Sequence, residues 1–145
     1  VSSLSGKVLN KTLVETSALT DIVGDRIYQR GTLGVNGVPA QPELPYVMIG
    51  EDEAYPNRDV RETSPGSKRT WWTVYVYDEP GSVVRIKEIH DIIQEALESI
   101  QQVTLDGVRV LEVLFDRSSR DGVDTVRKEG VKTATYRVNF TRAIP

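Results

Sequence analysis

The stretch Arg69-Thr70-Trp71-Trp72-Thr73-Val74-Tyr75-Val76-Tyr77-Asp78 decides the fold. In an extended chain successive side chains point to opposite sides. Trp72, Val74 and Val76 therefore share one face, and Trp71, Thr73, Tyr75 and Tyr77 share the other. Both faces carry the β-branched and aromatic residues that strands favour, so the segment reads as a central strand covered on both sides. Trp72 is expected in the core. The face of Trp71, Tyr75 and Tyr77 is suited to an interface, because rings with a polar edge serve well where one side is apolar and the other wet.

Downstream, Asp78-Glu79-Pro80-Gly81 is a turn. Ser82 is then placed to cap a helix over residues 83–100, whose apolar stripe is Ile86, Ile89, Ile93, Leu97 and Ile100, with Ala96 beside it. Glu88, Asp91, Glu95 and Glu98 face the opposite way. Asp106-Gly107 between Val103-Thr104-Leu105 and Val108-Arg109-Val110 is a two-residue hairpin signal. Leu111, Val113 and Phe115 are expected to continue the second arm on one face, and a charged loop follows over residues 117–130. Residues 132–141 alternate, with Ala134, Tyr136, Val138 and Phe140 on one face and Thr133, Thr135, Arg137 and Asn139 on a half-exposed one.

Upstream, residues 51–68 read as a long charged loop and 45–50 as a strand. Residues 30–44 form a second long loop, because Gly31, Gly34, Gly37, Pro39 and Pro42 interrupt regular structure. Residues 26–29 look like a short strand. Residues 3–15 read as a helix with Leu4, Val8, Leu9, Leu13 and Val14 in its stripe and Ser3 or Ser5 as its cap. The expectation is one α+β domain over residues 1–145: a mainly antiparallel sheet of about four to five strands, packed by two main helices, with long charged loops. Unstructured loops of that length are uncommon in a small domain and tend to be functional or disordered.

Composition narrows the chemistry. There is no cysteine, which removes disulfides, thiolate metal sites and cysteine nucleophiles. His90 is the single histidine and lies on the expected helix, so a structural role is favoured over catalysis; no Gly-x-Ser-x-Gly elbow accompanies it. No phosphate-binding glycine motif opens a helix, and none follows the glycines at 31–37. No cofactor is expected. The net charge is -3, without the basic excess usual in nucleic-acid binders. No apolar run reaches the roughly 18 residues of a membrane span, and no charged leader precedes an apolar run, so neither membrane association nor a secretory signal is expected.

Glu51, Asp52 and Glu53 alternate in direction on an extended chain and would not converge on a metal. A solvated run or an acidic patch for a basic partner fits them better. Arg58, Arg61, Lys68 and Arg69 are interleaved with Asp59 and Glu62, and Arg117, Arg120, Arg127 and Lys128 with Asp121 and Asp124. Mixed signs suit register-setting contacts between protein subunits rather than a phosphate backbone. These residues are the candidates for a subunit or tube interface.

In order along the chain, the first helix leading to Asp25-Arg26-Ile27-Tyr28, Leu44-Pro45-Tyr46-Val47 opening a strand, Trp72-Thr73-Val74-Tyr75-Val76-Tyr77 before the helix, and the closing Tyr136-Arg137-Val138 resemble the tail-terminator, or tail-completion, family of long-tailed phages. The resemblance implies a non-enzymatic virion protein assembled in the host cytoplasm. It implies a homohexameric ring on the head-proximal end of the tail tube, which stops tube polymerisation and gives the head connector a docking face. Its partners would be itself, the tail-tube protein and the connector or stopper protein. Double-stranded DNA would pass through the lumen without specific binding, which suits a net acidic subunit. Head–tail connector or stopper rings, tail-tube subunits and, from another class, a nucleic-acid-binding module are the alternatives.

Overall fold

The computed structural model describes residues 3–51, 67–119, 122–125 and 128–142. Two helices, α1 (Ser3–Val14) and α2 (Ser17–Val23), precede two strands, β1 (Ile27–Gln29) and β2 (Tyr46–Glu51). Strand β3 (Ser67–Asp78) leads to helix α3 (Val83–Glu98). Strands β4 (Gln101–Leu105), β5 (Val108–Ser118), β6 (Gly122–Asp124) and β7 (Glu129–Arg142) complete the chain order. They form one seven-stranded sheet in the order β1-β2-β3-β7-β5-β4, with β6 also beside β7.

The α+β class agrees with the sequence, but the count and direction need correction. Among the described residues the sheet has seven strands rather than four or five, and the β1–β2 pair is parallel. Among the described residues there are three helices, a short one added to the two main helices expected, because 17–23 closes into a helix around Leu19 and Val23. The expected loop over 117–130 is largely strand among its described residues: Arg117 and Ser118 end β5, Gly122–Asp124 form β6, and Glu129 opens β7. Little in that segment favours a strand by itself; pairing with β7 holds it there.

Strand β3 is central, as its two-sided pattern indicates. It pairs along its length with β7 on one side and with β2 on the other. Val47, Ile49, Trp72, Val74, Val76, Val113, Ala134, Tyr136 and Val138 point to one side of the sheet and are buried. The helices cover them with Val8, Leu9 and Leu13 from α1, Leu19 and Val23 from α2, and Ile86, Ile89, Ile93 and Leu97 from α3. Fully burying such a side chain stabilises by roughly 1.5–3 kcal/mol. Val14, expected in the α1 stripe, is exposed.

The local chemistry departs from expectation at three points. Ser82 precedes α3, but its side chain makes no cap hydrogen bond; the helix start is instead held by a bidentate pair between Arg85 and the buried Asp78 carboxylate. That contact holds the Arg85 guanidinium further above its already high ordinary range. Ser5 lies inside α1, where its side chain accepts from Trp72 Nε1. In β5 a bulge near Leu111 shifts the alternation, so Val108, Val110, Val113 and Phe115 share the helix-covered face. The Asp106-Gly107 turn forms as expected, with φ of 51° and 79°, the two positive values of a type I′ hairpin.

Candidate functional site

The other side of the sheet carries no helix among the described residues, since all three pack on the face of Trp72. Alternation brings Trp71, Thr73, Tyr75 and Tyr77 of β3 to this outer side, next to Tyr46, Met48 and Gly50 of β2 and to Thr133, Thr135, Arg137 and Asn139 of β7. Leu114, Glu112 and Arg117 of β5 extend it.

One end of this face is an aromatic ladder. Tyr46 stacks on Tyr77 with ring centroids 4.8 Å apart, Tyr75 stacks on Tyr77 at 6.4 Å, and Tyr28 meets Tyr46 edge-on at 6.1 Å. The Tyr46 hydroxyl donates to the buried Glu129 carboxylate at 2.9 Å. Gly50 makes room for Arg30: a Cβ at position 50 would lie 2.6 Å from the Arg30 Cβ. Arg30 thereby places its guanidinium 6.0 Å from the Tyr75 ring centroid, a cation–π arrangement.

The middle and far end are polar. Thr73 and Thr135 hydroxyls meet at 3.2 Å. Arg69 Nε donates to Asn139 Oδ1 at 3.3 Å, and Asn139 Nδ2 donates to Glu112 at 2.9 Å, a hydrogen-bonded row across three strands. Between these rows Arg137 stands opposite Trp71 and Leu114, and its buried Nε has no acceptor among the described residues.

Among the described residues, the candidate interface residues are spread over several strands and one turn. Asp52, Glu53, Arg58, Arg61, Arg120 and Arg127 lie outside the described residues, and Lys68 is described only through its backbone in β3. Glu51 ends β2 on the helix-covered side, where Thr70 Oγ1 donates to it at 3.2 Å. Arg69 lies on the opposite face, so these two are not brought together. Arg117 shares the face of Arg69 but pairs with Asp116 at 2.6 Å and sits four residues further along β7, roughly 13 Å away by strand rise. Lys128 is exposed in the turn before β7, with φ of 59°. Arg30 and Arg137 were not among the candidates. The alternation of residues 133–139 already marked Arg137 as outward-facing, whereas Arg30 is brought in only by its fold over Gly50.

The helix side offers little for catalysis among the described residues. His90 is buried, and its Nε2 donates to the Lys132 carbonyl at 2.8 Å, fastening α3 to β7. Tyr136 is fully buried and packs edge-on to Phe115; burial pushes its phenol well above the usual range, with Glu98 and Asp91 adding to the effect. No group of three His, Asp or Glu side chains among the described residues is placed to hold a metal ion. An open groove of about 360 Å³ runs along α3, lined by Val84, Lys87, Glu88, Asp91, Ile92 and Glu95. No helix among the described residues is long and apolar enough to cross a membrane.

Comparison with known proteins accords with this architecture. A chain from a structure titled "Virion of native gene transfer agent (GTA) particle" superposes with a TM-score of 0.70 at 18% identity, covering 92% of this chain and 91% of that one, which shows the shared fold. A second solved chain reaches a TM-score of 0.45 at 13% identity over 96% of both. No curated protein gives a significant sequence match. The profile of the family described as "Tail completion protein gp17" matches residues 7–141, nearly the whole of the sheet and its three helices. The chain belongs to this tail completion family and is a structural protein of the phage virion.

Proposed function

We propose that the chain forms a closed ring, homohexameric as in the resemblance above, on the head-proximal end of the tail tube. The ring halts tube polymerisation and offers the head connector its docking face, with no catalytic role and no cofactor. DNA passes through the lumen without specific binding. The observation that carries this reading is that, among the described residues, helices cover one face of the sheet while the other is aromatic and bears arginines, which gives the subunit two unlike surfaces. Two unlike surfaces are what a heterologous ring contact requires. Family membership supports the place in the tail.

Charged residues make the remaining contacts with the tube and the neighbouring subunit. These are Glu51, Asp52, Glu53, Arg58, Arg61, Lys68, Arg69, Arg117, Arg120, Arg127 and Lys128. Mixed signs set register and reject wrong alignments.

The test is deletion of the gene followed by electron microscopy of the tails. Overlong, unjoined tails are the expected outcome. Tails of normal length that fail only to join heads would overturn capping in favour of a stopper. Purified protein is expected to elute as a ring of about 97 kDa, six copies of a 16.2 kDa chain.

A further inference from the structure

We propose that the arginine-bearing outer face of the sheet is the docking surface for a second copy of this chain, which meets it with the acidic side of α3. This deepens the ring reading above and rests on it.

Charge is sorted by layer. The chain carries a net -3, yet the outer sheet face bears Arg30, Arg69 and Arg137. The solvent side of α3 presents Glu88, Asp91 and Glu95 along its open groove. Only the Lys87–Asp91 pair tempers that acidity in the groove. The complement of each face is thus found on the other side of the same molecule.

Arg137 lies on the same face, half-buried beside Trp71 and Leu114. A carboxylate is the acceptor that a guanidinium fork matches best, and a Glu side chain of a second copy supplies one. The apolar parts also correspond: Val84 is 82% exposed and Ile92 half-buried in the acidic groove, facing a sheet surface with half-buried Trp71 and Tyr75.

The contact joins two different surfaces, so it propagates from copy to copy and closes only if the surfaces are inclined to one another. A phosphate backbone is a poorer occupant, because Glu112 stands in the same hydrogen-bonded row as Arg69.

The experiment uses the full chain and three variants: E88K/E95K, R30E/R69E and the fourfold combination. The reversed positions are exposed or half-exposed, and far-UV circular dichroism checks that each variant folds. Self-association is measured by analytical ultracentrifugation. Each double variant is expected to weaken association at least roughly tenfold, since attraction across the contact becomes repulsion. The fourfold variant is expected to recover it, as is an equimolar mixture of the two double variants. Wild-type association is expected to weaken from 0.1 to 1 M salt, as the screening length falls from about 10 to about 3 Å. Double variants that associate like the wild type, or a folded fourfold variant that stays apart, overturn the inference while leaving the tail-length test of capping intact. A wild-type chain that stays monomeric at every concentration, or binds duplex DNA instead of itself, also overturns it.

Discussion

Trp72 Nε1 donates a hydrogen bond to Ser5 Oγ at 3.1 Å, tying the first helix to the central strand across 67 positions of sequence. Gly6 lies under the same indole, and a Cβ there would sit 2.4 Å from its Cη2 atom. Helix and strand approach this closely because position 6 has no side chain.

Gly6→Ala is therefore expected to destabilise the protein. Inside a helix the exchange gains about 1 kcal/mol of propensity. Here the added methyl meets a buried ring held by its hydrogen bond, and overpacking of this kind costs about 1–3 kcal/mol. The steric effect is expected to win, giving a lower midpoint in urea denaturation. An unchanged or raised midpoint would show that α1 shifts freely over the indole.

Ser5→Ala leaves the indole N–H buried without its acceptor. The expected loss is about 1–3 kcal/mol, read from the same denaturation curves. Ser5→Thr, which keeps a hydroxyl, is expected to recover part of it.

At the start of α3, Arg85→Ala strips the buried Asp78 carboxylate of its cation and two hydrogen bonds. Breaking a fully buried pair costs about 3–5 kcal/mol. The Arg85 side chain is 47% exposed, so water moderates the effect, and about 1–3 kcal/mol is expected. Thermal denaturation of the variant measures it.

Tyr136 gives a pH dependence with a definite sign. Burial raises its folded-state pKa above the unfolded value near 10. Above about pH 10 the unfolded chain releases this proton while the folded chain retains it, so stability falls as pH rises. The slope from this group is at most about 1.4 kcal/mol per pH unit. Tyr136→Phe is expected to flatten the decline. Because the hydroxyl has no partner among the described residues, the variant is also expected to match or exceed the wild type at pH 7. Denaturation midpoints from pH 7 to 11 test both statements; equal slopes in the two proteins would refute the first.

The elements legible in the sequence are those whose own residues carry the full signal. Strand β3 declares itself through two-sided apolar alternation, α3 through Ile86, Ile89, Ile93 and Leu97, and the hairpin through Asp106-Gly107. Helix α2, of seven residues, is too short for a helical period to stand out around Leu19 and Val23. Strand β6 exists because β7 extends past β5 and offers Glu129–Val131 for pairing. Strand direction leaves no trace in periodicity, which is why the parallel β1–β2 pair was not anticipated. The outer face was half legible. Alternation sends Arg69 and Arg137 outward, but charge counting along the chain sees mixed signs, and only the layered fold separates the arginines of the sheet from the acids of α3. Glu51 and Arg69, both candidates for the interface, stand on opposite faces because alternation in paired strands divides them.

Strand β7 is flanked along nearly its whole length, by β3 on one side and by β5 and β6 on the other, yet it follows all three in the sequence. Until it leaves the ribosome, β3 and β5 have no common neighbour and the two halves of the sheet cannot join. Such late, long-range pairing slows folding. The feature also concentrates the joining of the sheet in one element: a chain broken off before Glu129 lacks the strand that links β3 to β5.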